Sequence, residues 1–220
     1  MLIVHHLENS RSQRVLWLLE ELGTQYEIRS YKRDARTGLA PAELRQVHPL
    51  GKSPVVEDDG HTLVETGAIV EYLLGRHGQG RLVPPDGSEA ALTYRFWLHF
   101  AEGSAMPPLV MTLLLRRAAA RLPAPLRPVG RILLHGIWEG YLEPTITPQL
   151  DLSERALAGG GWFAGDELTG ADIMMSFPME AAADRVGLGE RPAIKAWLTK
   201  IHARPAYRTA LAKGGPYAYA

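Results

Sequence analysis

Residues 48–74 read HPLGKSPVVEDDGHTLVETGAIVEYLL, and the fold is decided in this stretch. Pro54 opens a short apolar run, Val55-Val56. Proline has no N–H to give to a ladder, so it belongs at the first residue of a strand or on an edge. Asp58 to His61 is a turn, and Asp59-Gly60 suits a tight hairpin that needs positive φ. Thr62-Leu63-Val64 returns as a second strand. Glu65-Thr66-Gly67 precedes a helical pattern with Ile69, Tyr72 and Leu73 on one face. The unit is therefore proline, strand, hairpin, strand and helix.

The start of that helix favours an anion, because free N–H groups and the positive end of the dipole meet there. The Ser53–Pro54 bond is the expected cis peptide, since only X–Pro bonds reach cis cheaply. A strand entered this way is expected to expose backbone of Ser53 or Val55 at a sheet edge. An extended peptide can pair with such groups as another strand would. The stretch reads as a site for a small peptide-like ligand that carries a carboxylate.

Outward from this unit the pattern is regular. Leu2 to His6 reads as a first strand, and Leu7 to Arg11 as a polar loop in which Asn9 and Ser10 are both good helix caps. Val15, Leu18, Leu19 and Leu22 then recur at helical spacing, and Gly23 ends the helix. Tyr26 to Tyr31 is a second strand. Lys32 to Leu39 is a loop, and Pro41 starts a short helix over residues 42–47. A helix between the first two strands implies a parallel pair. The order β-α-β-α-β-β-α fits a thioredoxin-like domain over residues 1–78. Residues 79–88 form a linker rich in glycine and proline. Residues 89–220 form an all-helical domain. Its first helix runs from Glu89 to Ala120, with a kink expected at Pro107-Pro108. Its next carries Leu134, Ile137, Trp138, Tyr141 and Leu142 on one face. Thr169 with Asp172 is a capping-box variant, flanked by Leu168 and Ile173 as a hydrophobic staple. Loss of Asp172 is expected to cost about 1 kcal/mol or more.

Composition excludes several classes. The 220 residues carry 24 basic and 24 acidic side chains, so no nucleic-acid or membrane-surface footprint is indicated. There is no cysteine, hence no disulfide, thiolate metal site or cysteine nucleophile. The histidines show no metal-ligand spacing, since neighbours such as His5 and His6 alternate across a strand. The amino-terminal residues lack a basic leader, and the chain reads as soluble and cytoplasmic.

The ordered set from Pro54-Val55 to Glu65-Thr66 resembles the glutathione-binding half of cytosolic glutathione transferases. The preceding His48-Pro49-Leu50-Gly51-Lys52-Ser53-Pro54 is similar to serine-type members from fungi and bacteria, and the likeness covers nearly the whole chain. It implies the transferase fold, with a thioredoxin-like α/β domain followed by an all-α domain. It implies glutathione as co-substrate and no metal. The reaction it implies is attack of the glutathione thiolate on a small hydrophobic electrophile, or reduction of an organic hydroperoxide, and it implies a detoxifying homodimer about the third and fourth helices. Two alternatives stand beside it: a non-catalytic glutathione-binding or regulatory protein, and a glutathione-dependent thiol–disulfide reductase. Relatives of the latter kind often carry cysteine where this chain has Ser10.

From position alone, two roles for Ser10 are open: capping the first helix, or donating to a thiolate. The resemblance favours the second. Arg11 is the other candidate, and Asn9 and Ser12 are neighbours that share the loop. Glu65 would accept from the glutathione amino group, and Thr66 with the helix N–H groups would take its α-carboxylate. Ser53, Pro54 and Val55 would line the extended peptide. Lys52 would meet the glycyl carboxylate, and His48 is a weaker candidate. Met106 and its apolar neighbours are expected to line the electrophile pocket. Arg116, Arg117, Arg121, Arg127 and Arg131 read as a solvated helix surface.

Overall fold

The computed structural model describes residues 1–219. Four strands form one mixed sheet in the order β2-β1-β3-β4. These are β1 (Ile3–Leu7), β2 (Glu27–Tyr31), β3 (Val55–Asp58) and β4 (His61–Val64). β1 runs parallel to β2 and antiparallel to β3, and β3 and β4 close as a hairpin. Asp59 and Gly60 both take positive φ, 49° and 79°, as a two-residue hairpin of this hand requires. The Ser53–Pro54 bond is cis. β3 is nevertheless an interior strand and not an edge. Val55 is in register with His5 on one side and Val64 on the other. Ahead of the strand Lys52 is exposed, Gly51 and Ser53 are half-buried, and Pro54 is buried.

Helix α1 (Ser12–Leu22) is buried along nearly its whole length and ends at Gly23. Burial on all sides follows from its place between the sheet and the helical domain. The short helix α2 (Leu44–Val47) begins three residues after Pro41, with a turn between them. α3 (Thr66–His77) buries Ile69 and Leu73, and Tyr72 packs against the same core at partial exposure. One apolar core runs through both domains, from Val4 and Leu16 to Trp97, Phe163, Ile173 and Trp197.

The helical domain answers its prolines in a consistent way. α4 (Glu89–Phe100) and α5 (Met106–Ala120) are joined by a π-turn, Ala101–Ala105, placed one turn before the expected break at Pro107-Pro108. α6 (Arg127–Ile137) and α7 (Glu143–Leu157) are joined by a second π-turn, Trp138–Leu142, just ahead of Pro144. A proline in a helix leaves the carbonyl four residues earlier without its donor. Pro108 thus frees the Ser104 carbonyl, and Gln149 Nε2 on α7 donates to it at 3.1 Å. Gln149→Ala should therefore lower stability by about 1 kcal/mol, a fall of some 2–4 °C in Tm readable by calorimetry.

α8 (Gly170–Arg185) is the central helix of this domain, followed by α9 (Pro192–His202) and α10 (Pro205–Gly214). The 32-residue span Glu89–Ala120 is long and apolar enough to cross a membrane, and its α4 and α5 segments both pack on α8. The one-faced stripe after Pro128 is only partly covered: Ile137 is 39% and Tyr141 54% exposed, Leu134 and Trp138 are half-buried, and Leu142 is buried. Its periodicity is helical, but in a single chain no element covers the rest of that side. Met106 is 2% exposed and belongs to the core, so it does not line an open pocket.

Candidate active site

The loop between β1 and α1 carries Ser10 to the junction of the two domains. Ser10 is 5% exposed. Its Oγ accepts the Ser12 N–H at 3.2 Å and lies 2.7 Å from Ser12 Oγ. The residue in the cap position itself is Arg11, whose side chain makes no capping bond. Ser10 therefore satisfies one helix N–H while its hydroxyl stays engaged with another side chain.

The same loop touches the Ser53–Pro54 segment through one shared donor. The Leu7 N–H meets Ser53 Oγ at 3.1 Å and Ser12 Oγ at 3.3 Å. Ser53 Oγ donates in turn to the His5 carbonyl at 2.8 Å. The Ser53 hydroxyl is thus occupied by β1, and it pins the strand entrance beside the Ser10 loop. Val55 is buried behind it, and Lys52 stands exposed in front. His48 holds a local turn, accepting the Leu50 N–H at Nδ1, 3.4 Å.

Glu65 sits at the start of α3 with φ of 68°, a conformation uncommon for a side chain other than glycine. Its side chain makes no cap bond and is exposed, whereas Thr66 is 4% exposed. An outlier of this kind is sustained by its surroundings and often marks a ligand site. Glu65 is near enough to Arg11 to favour the guanidinium charge.

A second ionic group lies on the helical side of the junction. The Arg14 side chain is 1% exposed. It pairs with Glu102, on the first π-turn, and its Nη1 donates to the Met174 carbonyl at 2.7 Å. That carbonyl is the one freed by Pro178, four residues on in α8. Arg11 Nε is 3.4 Å from Glu102 Oε2, close enough for attraction but not aligned as a hydrogen bond. Both guanidinium groups stand over the Phe177 ring, at 5.9 Å and 5.5 Å. Burial pushes the Arg11 pKa down, and Arg14 and Arg185 act in the same direction against Glu102 and Glu65.

Burial also pushes the Glu102 carboxyl up, but Arg14 and Arg11 outweigh it and hold the group below its ordinary 4.5. A carboxyl depressed in this way adds stability above its unfolded pKa, which is lost as pH falls through the folded value. Glu102→Gln should therefore cost stability at neutral pH and progressively less as pH drops below 4.5. Urea unfolding across that range checks it.

The carboxyl-terminal tail crosses the same region. The Ala218 N–H donates to Asn9 Oδ1 at 2.7 Å, Tyr217 Oη donates to buried Glu180, and Tyr219 Oη accepts from Arg185 at 2.6 Å. Tyr219 also meets Phe177 edge-on at 5.4 Å. Aromatic rings and arginines, rather than Met106, therefore flank the Ser10 loop on its helical side.

Two family models match the chain. "Glutathione S-transferase, N-terminal domain" covers residues 1–75, and "Glutathione S-transferase, C-terminal domain" covers 141–205. Glutathione S-transferase 3 of Schizosaccharomyces pombe is 39% identical over 97% of this chain and 88% of its own. The chain belongs to the glutathione S-transferase family. Glutathione S-transferase 1 of Saccharomyces cerevisiae is 35% identical over 93% of this chain and 91% of its own. The crystal structure of a glutathione S-transferase from Actinobacillus pleuropneumoniae superimposes with a TM-score of 0.80 at 32% identity, covering 97% of this chain and 93% of that one. The fold is accordingly that of the glutathione S-transferases, with a small mixed-sheet domain followed by a helical domain.

Of the residues singled out in the sequence, Ser10, Arg11, Ser12 and Ser53 come together at one junction, with Glu65 in electrostatic reach of Arg11. Glu102, which begins the stretch of the kinked helix expected to face the cleft, joins them, and His6, Arg14 and Phe177 complete that junction without having been singled out. Arg14 and His6 lie within apolar patterns that read as core. A charged residue on an otherwise apolar helix face is the signal that points to Arg14.

Proposed function

We propose that this chain conjugates the glutathione thiolate to small hydrophobic electrophiles, and that Ser10 stabilises the thiolate. The observation that carries the reading is the Leu7 N–H shared between Ser12 and Ser53, which holds the Ser10 loop against the entrance of β3. A tripeptide extended beside Pro54 and Val55 then has its sulfur near Ser10. Its γ-glutamyl end reaches Glu65, Thr66 and the free N–H groups of α3, where a carboxylate is favoured. Lys52 meets the glycyl carboxylate as a point charge. Arg11 adds positive charge beside the sulfur, moderated by its attraction to Glu102. Hydroperoxide reduction uses the same thiolate.

The division at residues 79–88 into a glutathione domain and a substrate domain belongs to this reading. So does a cytoplasmic homodimer. Leu92 and Phe96 on α4 are 67% and 48% exposed, and Ile132 and Leu133 on α6 are 73% and 63% exposed. Apolar side chains in such number at the surface favour a protein partner. Sedimentation at micromolar concentration distinguishes monomer from dimer.

Calorimetry with millimolar glutathione tests the reading, followed by turnover of a chloronitroaromatic and of cumene hydroperoxide. Heat with turnover supports it. Heat without turnover on any electrophile favours a binding protein, and turnover of mixed disulfides alone favours a reductase. Glu65→Gln should raise the KM for glutathione about tenfold, the effect of weakening one charge-assisted hydrogen bond, with kcat changed far less.

A further inference from the structure

A line of buried groups runs inward from Ser10. Ser10 Oγ lies 2.7 Å from Ser12 Oγ, and Ser12 Oγ lies 2.8 Å from His6 Nδ1. His6 Nε2 lies 2.9 Å from the Gly214 carbonyl at the end of α10. All three side chains are within 5% of full burial.

The inner end fixes the direction of the whole line. A carbonyl only accepts, so His6 Nε2 carries a hydrogen and donates to Gly214. Burial holds the His6 pKa below its ordinary 6.5, against the opposing pull of the Gly214 carbonyl and Glu8. The ring is therefore neutral at pH 7, and Nδ1 is bare. Nδ1 must accept, and Ser12 is its donor. The other acceptor for that proton, the Leu7 carbonyl, is farther away at 3.3 Å. Ser12 has one proton and gives it to His6, so in the contact with Ser10 it can only accept. The Ser10 proton thus points into the protein. What Ser10 offers to an arriving thiol is a lone pair.

We propose that Ser10, Ser12 and His6 form a relay that carries the glutathione thiol proton to His6 Nδ1, turning Ser10 from an acceptor into a donor. The proposal rests on the reading that the glutathione sulfur lies at Ser10. The S–H bond breaks, and its electron pair stays on sulfur. The thiol proton joins Ser10 Oγ, the Ser10 proton passes to Ser12, and the Ser12 proton passes to His6. The products are a thiolate and an imidazolium, with no change in net charge. Ser10 now holds a proton aimed at sulfur, which is the charge-assisted bond that stabilises the thiolate. The imidazolium donates to Gly214 from Nε2 and to Ser12 from Nδ1. Around it stand Glu8 after β1, Ser30 across on β2, and Ser12 and Gln13 on α1. Glu8 is the charged member and favours the imidazolium, and the thiolate charge formed in the same step raises the ring's proton affinity above its resting value. After product leaves, the line shifts back and a water at Ser10 takes the proton. His6 and Ser12 act through Ser10 and are positioning residues.

The test counts protons. Glutathione is mixed with the enzyme at pH 7 in weak buffer, and thiolate absorbance and proton release are followed together. S-methylglutathione, which has no thiol proton, is the blank. The relay gives a thiolate band with far less than one proton released per thiolate. Ser12→Ala and His6→Gln cut the line, so each should release about one proton per thiolate formed and show a higher apparent thiol pKa. A merely structural role would reduce the amount of thiolate but not change the protons per thiolate. One full proton released per thiolate by the unaltered enzyme overturns the relay, as does binding heat without a thiolate band. No heat at all overturns the glutathione site on which the relay rests.

Discussion

Ser10→Ala should lower kcat/KM for conjugation about tenfold at pH 7, with a deficit that shrinks as pH rises. A free thiol has a pKa of about 8.5, so only about 3% is thiolate at pH 7. A site that lowers this by about two units raises the thiolate to about three quarters, for roughly 2.7 kcal/mol. One charge-assisted hydrogen bond together with helix-end N–H groups is of that size. Losing all of it would remove about 25-fold of the thiolate at pH 7; Ser10→Ala keeps the helix-end N–H groups, and a thiolate of higher pKa is the better nucleophile, so the loss is smaller. Above the free thiol pKa both enzymes hold thiolate, and the difference closes. A pH profile of kcat/KM reads this directly. A deficit of constant size from pH 6 to 9 would mean that Ser10 serves geometry and not thiolate charge. If Arg11 carries the role instead, Ser10→Ala leaves the profile unchanged and Arg11→Ala moves it.

Asp172→Ala should cost about 3 kcal/mol at pH 7, some 10 °C in Tm. The sequence alone suggests a helix cap worth about 1 kcal/mol. In the fold the carboxylate does more. One oxygen accepts the Thr169 N–H at 2.9 Å and the Thr169 hydroxyl at 3.0 Å. The other accepts the Phe163 N–H at 2.9 Å and Trp197 Nε1 at 3.3 Å. Asp172 thus ties together the start of α8, the segment before it and α9. Alanine leaves three buried N–H groups without a partner, and each such group costs about 1–3 kcal/mol. Burial pushes the Asp172 carboxyl up to about 6, against these four donors. A raised pKa adds stability that is full below the ordinary 3.8 and lost as pH rises through about 6. The cost of Asp172→Ala should therefore be about 1 kcal/mol greater at pH 5 than at pH 7. A cost below 1 kcal/mol at both would refute the account.

These two residues also mark how far local sequence carries. The hairpin at Asp59-Gly60, the end of α1 at Gly23, the cis Ser53–Pro54 bond and the Thr169–Asp172 start of α8 are all set by near neighbours, and they read correctly. The prolines announce breaks, but the π-turns that absorb them lie earlier, where the pairing shifts before the ring arrives. The partners of the freed carbonyls are distant. Gln149 serves Ser104, and Arg14 serves Met174, 160 residues away. No local pattern encodes such pairs. The stripe from Leu134 to Leu142 is a different case, since periodicity states which side is apolar and not whether anything covers it. For the proposed site, Ser10 and Glu65 are named through resemblance, and the fold places Ser10 beside Ser12 and Glu65 within electrostatic reach of Arg11. His6 and Ser12 were not legible as a linked pair, because their contact depends on how β1 and α1 turn back on each other.

The packing of α10 on α1 bears on how the chain is made. Gly214 approaches α1 so closely that a Cβ there would lie 2.7 Å from Gln13 Oε1 and 2.9 Å from Leu16 Cδ1. Tyr207 meets Trp17 edge-on at 5.3 Å, and Arg204 reaches Glu21 at 2.8 Å. α1 is therefore covered by a helix that leaves the ribosome long after it. During translation the sheet can assemble early, but one side of α1 stays wet until α10 emerges. A nascent chain stalled before Pro205 should accordingly be cut readily near α1, and should become resistant once the remaining residues are released.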